Sequence, residues 1–535
     1  MTPESFPTTG SRPTPRSLLL ATCALLLGVV LWHAWISDDA YILLRSVDHA
    51  VRGFGLRWNV AERVQSFTCP LWTLLITAVY AVTREEFFTT LAVSIGVSLG
   101  AVALCLRAAP TRTHALLVVL ALMGSRAFVD YATSGLENPL SHLLLGAFFL
   151  VLARPEAGGA YRVGLLSLLA SLLITNRMDM GVVVAPALLW EVWRARSWRT
   201  VGLLVLGQVP FLAWEVFSLV YYGFPFPNTA YAKLNTGVPS GEMALQGLRY
   251  LDISTRFDPL TSLTLLVGLW AAVRSRRPVL VAGAVGVALY LAYVVRVGGD
   301  FMAGRFFTAP LFASVMLGLL ARPVLTPRGV RVALGVLVLS QVPGPLGTAV
   351  AEAAGVKPLR WYNTRQLEPQ GITDERAVYA EGAGLRHWRP GREWPAYYFC
   401  TEGREDRANY PDGAVLPAYS IGMKGFCAGP AFHYVDIYAL ADPLLARTVR
   451  PRRYWRIGHF DRDVPAGYLE TLRTGRNVME DPALAEYLDK LLLVVRGPLF
   501  TRERWHAIWE LNRQRTAPAP TPRPAVPEPS RAEGH

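Results

Sequence analysis

Long apolar blocks separated by short basic gaps run through the first two-thirds of this chain. The blocks occupy 17–36, 88–106, 114–130, 139–153, 163–176, 181–193, 201–221, 260–273, 278–295, 308–321 and 331–349. A helix that crosses a bilayer takes about 20 predominantly apolar residues. The pattern therefore predicts an all-α polytopic membrane segment with about eleven transmembrane helices.

Charge orients those helices. With the N-terminus inside, every second gap should be cytoplasmic. Those gaps and their edges hold Arg107/Arg112, Arg154/Arg162, Arg194/Arg196/Arg199, Arg274/Arg276/Arg277 and Arg322/Arg328/Arg331, as positive-inside topology requires. The apolar segment 70–82 is excluded as a span, because counting it would put these arginines outside. It reads as a helix lying at the outer surface or dipping into it. Four divisions follow: a cytoplasmic tail at 1–16, a transmembrane domain at 17–349 with its first outer loop at 37–87, an extracytoplasmic domain at 350–513, and a Pro-rich disordered tail at 514–535. The extracytoplasmic domain is large enough for a soluble core of its own and reads as α/β or mixed.

Composition agrees with this picture. Hydrophobic residues make up 52% of the 535 and charged residues 17%, against about a quarter charged in soluble proteins. The net charge of +13 sits largely in the inside gaps, so it points to topology and membrane lipid and excludes nucleic acid as a partner. Cys23 and Cys105 fall in apolar blocks and read as packing residues. Cys400 and Cys427 can pair as a disulfide if the tail is extracytoplasmic. No cysteine spacing matches a zinc site.

The titratable residues that matter collect on the outer side. Asp38 and Asp39 follow the first block directly. In the helix they open, Arg45, Asp48, His49 and Arg52 form a polar stripe, with Leu43, Leu44, Val47 and Val51 opposite. That spacing predicts an amphipathic helix in the plane of the interface. On the bland reading, one aspartate caps this helix and the other is solvated. On the sharp one, a carboxylate stands at the membrane surface as a base or metal ligand. Other outer loops add Glu137, Arg177, Asp179, Asn228, Lys233, Arg296, Asp300 and Arg305. Cations hold phosphate. Carboxylates take protons or bind a divalent metal, Mg or Mn. A lipid phosphate donor with a hydroxyl acceptor fits both.

At these positions the sequence resembles a known family. "SDDAY", "RWNVAERVQSFTCPLW", "TSGLEN", "PNTAYAK", "GGDFMAGRF" and "VDIYALADPLLAR…RIGHFDRDVPAGYLE" are similar to the GT-C superfamily of polyprenyl-phosphate-sugar glycosyltransferases, and within it to the mycobacterial terminal β-(1→2)-arabinofuranosyltransferases. The resemblance runs over roughly 35–475. It implies a GT-C bundle with juxtamembrane helices in the first outer loop and an extracytoplasmic domain behind it. It implies transfer of a sugar, arabinofuranose or a similar one, from a polyprenyl phosphate to a cell-envelope glycan. The base is then Asp39 or Asp38, with Glu137 as the second acidic position, and Asp179 and Asp300 beside it. Arg305, Lys233, Arg63 and Arg177 are the phosphate candidates. Asn228, Asp436 and His459 are candidates for the acceptor path, joined by aromatics such as Tyr397, Tyr398, Tyr434, Tyr438 and Trp455. Two other functions compete: a flippase for a lipid-linked glycan, and a non-catalytic envelope or motility-assembly scaffold. No Walker loop or strand–GxGxxG–helix unit occurs, so no nucleotide site is expected.

Overall fold

The computed structural model describes residues 14–153, 159–234, 236–362, 371–449, 455–514 and 516–517. The expected cytoplasmic tail and Pro-rich tail fall almost wholly outside these residues. The chain is mostly helical. Three helices are long and apolar enough by themselves to cross a membrane: Phe87–Ala108, Gly159–Asn176 and Pro278–Arg296. Two bent pairs, Trp198–Gly207 with Val209–Tyr221 and Pro327–Ser340 with Pro345–Ala353, bring the number to five. The other expected spans correspond to shorter apolar helices such as Arg16–Trp32, Asn138–Leu152 and Pro259–Arg274. The segment set aside as a span is the 14-residue helix Pro70–Thr83.

One expected span is broken. The block 114–130 forms two helices, Arg112–Gly124 and Arg126–Tyr131, divided at Ser125. The Ser125 hydroxyl accepts from the Phe128 amide at 3.1 Å and so caps the second helix. Serine offers the backbone this alternative to helix continuation.

The Asp38–Val51 helix departs from expectation. Most of its polar stripe does not face water: Arg45 and His49 are each 1% exposed and Asp48 is buried, and only Arg52, at its end, is exposed. The segment after residue 350 lies over that face. Arg45 donates to the carbonyls of Trp58 and Phe432 at 2.8 Å each, and to that of Gly425. Its guanidinium stacks 4.5 Å from the Trp58 ring. Asp48 accepts from the Tyr80 hydroxyl at 2.8 Å and pairs with Arg52. Part of the stripe serves as a docking face, with Arg45 satisfied by the carbonyls of Gly425 and Phe432 from far along the chain.

Beyond residue 350 the chain forms short helices around a two-stranded parallel sheet, with Val415–Ala418 beside His433–Asp436 and Val415 opposite His433. The apolar core that starts between the bundle helices continues into this region through Ile372, Ala383, Cys400, Met423, Ile457 and Phe460. A second core joins Leu484, Leu488, Leu491 and Val494 to Val64 and Phe224. The Cys400–Cys427 disulfide is formed and ties the Tyr398–Asn409 helix to the Gly422–Ala428 helix.

Candidate active site

The helix carrying both aspartates starts at Ser37, whose hydroxyl accepts from the Ala40 amide at 3.2 Å. Neither aspartate is therefore the cap. They occupy the first turn, where the helix dipole favours negative charge. Successive residues on a helix point about 100° apart, so the two side chains diverge.

Asp38 turns toward the Gly422–Ala428 helix and is 8% exposed. Its Oδ1 accepts from the Met423 amide at 2.8 Å. Gly422 makes this approach feasible, since a Cβ there would overlap the Asp38 carbonyl and lie 2.7 Å from Asp38 Cγ. Burial pushes the Asp38 carboxyl up to about 7, against the Met423 amide, which holds it down. Asp39 faces a cavity of about 470 Å³, which Asp38 also borders, and the Asp39 side chain is 32% exposed. Burial raises its pKa too, while Arg305 and Lys233 pull it back.

A chain of charges runs away from Asp39. Arg305 Nη1 lies 4.0 Å from Asp39 Oδ2 and 3.5 Å from Asp300 Oδ2, and its Nη2 lies 3.4 Å from Glu137 Oε1. Glu137 also takes Arg177 Nη1 at 3.0 Å. Arg177 grips Asp179 through Nε and Nη2, both at 2.8 Å. These residues stand at the ends of four apolar helices, so the bundle brings them together. For Glu137, burial alone would raise the pKa, but Arg305 and Arg177 outweigh it and hold the carboxyl below its ordinary range. Gly298, Gly299 and Gly304 all have positive φ and shape the loop that carries Asp300 and Arg305. At Gly299, side-chain atoms of Tyr250 occupy the place of a Cβ.

Lys233, on the Asn228–Leu234 helix, also lines the cavity. It has no ion pair among the described residues. His459 lies on the cavity wall, edge-on to Phe301 and Tyr438 with ring centroids at 4.6 and 5.0 Å. Burial and nearby Arg456 lower its pKa to about 4, so it is neutral. Tyr397, Tyr398 and Tyr438 line the same cavity, whereas Tyr434 and Trp455 do not.

Three candidates join neither the cavity nor the charge chain that runs from Asp39. Arg63 donates to the backbone carbonyls of Tyr221 at 3.1 Å and Val494 at 3.2 Å, and to that of Gly497. The Asn228 amide donates to the carbonyls of Ala439, Leu440 and Asp442. Asp436 is fully buried and accepts from the Tyr438 and Ala441 amides at 3.0 Å each. All three hold loops in place through backbone groups.

The sequence reading missed Glu375 and Arg456. Both reach the cavity because Thr373, just before the Glu375–Ala383 helix, forms a single β-bridge with Met302 in the Asp300 loop. Thr373 exchanges backbone bonds with Phe301 and Ala303 at 2.7 and 2.9 Å, and Arg456 Nε donates to Gly371 O at 3.1 Å. Glu375 is 7% exposed. Burial, with Asp39 next, raises its pKa well above the ordinary range. Its only local signal is the Asp374 cap on the Ala377 amide at 3.2 Å, which predicts a helix start and nothing about a pocket.

Among the described residues no group of three or more His, Cys, Asp or Glu is arranged to hold a metal ion. Asp39, Asp300, Glu137 and Asp179 are each faced by a guanidinium, which occupies the place a divalent ion would need.

Comparison with known proteins follows the same direction. No family model matches the chain. A terminal β-(1→2)-arabinofuranosyltransferase of Mycobacterium tuberculosis is 27% identical over 566 aligned positions, covering 88% of each chain. The protein of that name from Corynebacterium glutamicum is 30% identical over 333 positions, covering 53% of this chain and 47% of its own length. Among solved structures, ArnT from Cupriavidus metallidurans in the apo state matches with a TM-score of 0.51 at 15% identity, over 82% of this chain and 89% of ArnT. At that identity the likeness is one of fold. The chain is a membrane protein with a GT-C fold and is related in sequence to the terminal β-(1→2)-arabinofuranosyltransferases.

Proposed function

We propose that this chain, a glycosyltransferase by its relatives and its fold, moves a sugar from a polyprenyl phosphate to a hydroxyl of a cell-envelope glycan on the extracytoplasmic side. The observation that carries the reading is the divergence of the two aspartates. Both aspartates border the cavity with Lys233, but Asp39 turns to Arg305, 4.0 Å away, while the Asp38 carboxylate is held by the Met423 amide. Arabinofuranose is the proposed sugar, on the strength of the Mycobacterium tuberculosis relative. The basic gaps support a cytoplasmic N-terminus, eleven spans and an extracytoplasmic cavity.

The step needs three things. Asp39 takes the proton of the acceptor hydroxyl. The freed oxygen forms its bond to C1 of the donor sugar as the bond from C1 to the phosphate oxygen breaks. The electron pair leaves on the polyprenyl phosphate, whose growing charge is met by Lys233 and Arg305. Fixed cations aimed at developing charge are among the largest contributions an active site makes. Arg305 links the two halves, since it faces both the base and the phosphate position. Asp300 and Glu137 hold it there. The lipid keeps the donor in the plane of the site, which supplies proximity. Tyr397, Tyr398 and Tyr438 offer faces for the acceptor sugars.

The test is a transfer assay with purified protein, a panel of decaprenyl- and undecaprenyl-phosphate sugars and short glycan acceptors, run with and without EDTA. Transfer from one donor, lost in Asp39→Asn and insensitive to EDTA, is the expected result. Folded protein that binds a lipid-phosphate sugar and transfers from none of the panel would return weight to a flippase or scaffold.

A further inference from the structure

A second cavity lies at the other end of the bundle. The Asn138–Leu152, Met180–Ala195 and Pro278–Arg296 helices each direct one end toward the Asp39 cavity. The opposite ends enclose about 370 Å³, lined by Arg162, Trp190, Glu191, Arg194 and Arg277 with Leu152 and Val279 among the apolar walls. Arg162 and Glu191 form a buried ion pair. Arg194 approaches the same carboxylate only at 3.9 Å and is 60% exposed. Arg277 gives one N–H to the Leu320 carbonyl at 2.8 Å. Among the described residues, three guanidiniums and one carboxylate line a cavity whose other walls are apolar.

The depth of this cavity has independent support. Trp193 and Leu189 are exposed beside it, and Trp198 is 91% exposed. Trp190 and Trp193 pack with centroids 5.0 Å apart, and Arg196 and Arg199 stack on Trp193 and Tyr161. Aromatic side chains mixed with arginines at helix ends mark the headgroup layer of a bilayer. Basic pockets between helices at that depth suit anionic headgroups. A soluble anion would have no use for the apolar wall, and a neutral lipid none for the excess of guanidinium.

We infer that this cavity binds an anionic phospholipid, with its phosphate between Arg194 and Arg277 and an acyl chain along Leu152, Trp190 and Val279. The inference rests on the chain being a membrane protein and not on the transfer reaction, so the two can fail separately.

The experiment titrates delipidated, detergent-purified full-length protein with short-chain phosphatidylglycerol, short-chain phosphatidylcholine or glycerol phosphate. Native mass spectrometry counts adducts and a thermal melt reads stabilisation. Phosphatidylglycerol is expected to bind and raise the melting temperature, and the other two are not. Arg194→Gln should weaken that binding about tenfold, while Arg194→Lys keeps most of it. Arg274→Gln removes the same charge at the same end without lining the cavity, and should leave binding within about twofold. The lipid-free melts of the variants check folding. Equal binding of the two phospholipids, equal stabilisation by glycerol phosphate, or equal losses in Arg194→Gln and Arg274→Gln would each overturn the assignment.

Discussion

Replacing Asp39 with Asn separates base from anchor. The change removes one charge and keeps the side-chain shape. Asp39 has one ion pair, to Arg305 at 4.0 Å, and its side chain is a third exposed. Arg305 keeps Glu137 at 3.4 Å and Asp300 at 3.5 Å. The loss of stability should therefore stay below about 1 kcal/mol. The loss of rate should be far larger. A positioned general base contributes about 10²- to 10⁴-fold, which is roughly 3–5 kcal/mol of barrier. Asp38→Asn is the matched control. Its oxygen can still accept from the Met423 amide, and although Asp38 also borders the cavity that bond holds its carboxyl, so its rate should fall by about tenfold or less. The assay is single-turnover transfer from a radiolabelled polyprenyl-phosphate sugar, with the melting temperature measured alongside. A larger rate loss in Asp38→Asn than in Asp39→Asn, with both variants folded, would refute this division of labour.

Four further outcomes follow from the same geometry. Transfer should fall as pH is lowered, because the base must be ionised, and the acid limb should lie above the ordinary aspartate range, since burial raises the Asp39 pKa; a limb below pH 4 in the kcat/KM profile would contradict this. The Asp38 pKa is raised from 3.8 to about 7, so its contribution to stability is fully present below about pH 4 and is lost as pH rises to about 7; melts of the wild type should show this decline, on the order of a few kcal/mol, and Asp38→Asn should reduce it. Lys233→Met should raise KM for the lipid donor about tenfold or more and leave the melt unchanged, because Lys233 has no ion pair among the described residues; an unchanged KM would remove it from the donor site. Arg63→Ala should lower the melting temperature by several degrees, since Arg63 serves three backbone carbonyls, with KM of the surviving enzyme unchanged.

What the sequence disclosed and what it withheld differ in physical kind. The charged groups at the ends of apolar blocks were legible, because a membrane helix leaves its polar residues little choice of position. Asp39, Glu137, Asp179, Asp300, Arg177 and Arg305 all came from that rule. Arg63, Asn228 and Asp436 looked equivalent and were not. Their partners are backbone groups, and for Arg63 and Asn228 these lie 158 or more residues away, a distance that no local pattern encodes. Glu375 and Arg456 were missed for the converse reason. They reach the cavity through a single bridge at Thr373 and a side-chain bond to the Gly371 carbonyl, contacts too short to leave a period in the sequence.

The buried polar stripe on the Asp38–Val51 helix joins these two cases. Read alone, it predicts a helix at a wet interface. In the fold, Arg45 binds carbonyls of Gly425 and Phe432, and Asp38 binds the Met423 amide. The same helix face therefore fixes the segment after residue 350 at two points, the first turn of the Gly422–Ala428 helix through Asp38, and Gly425 with Phe432 through Arg45. That double hold sets the roll of the Asp38–Val51 helix about its own axis. Because adjacent side chains are about 100° apart, fixing Asp38 in protein also fixes the direction of Asp39 into the cavity. Two neighbouring carboxylates are costly to bury together, and the pair makes sense when one carries the geometry of the other.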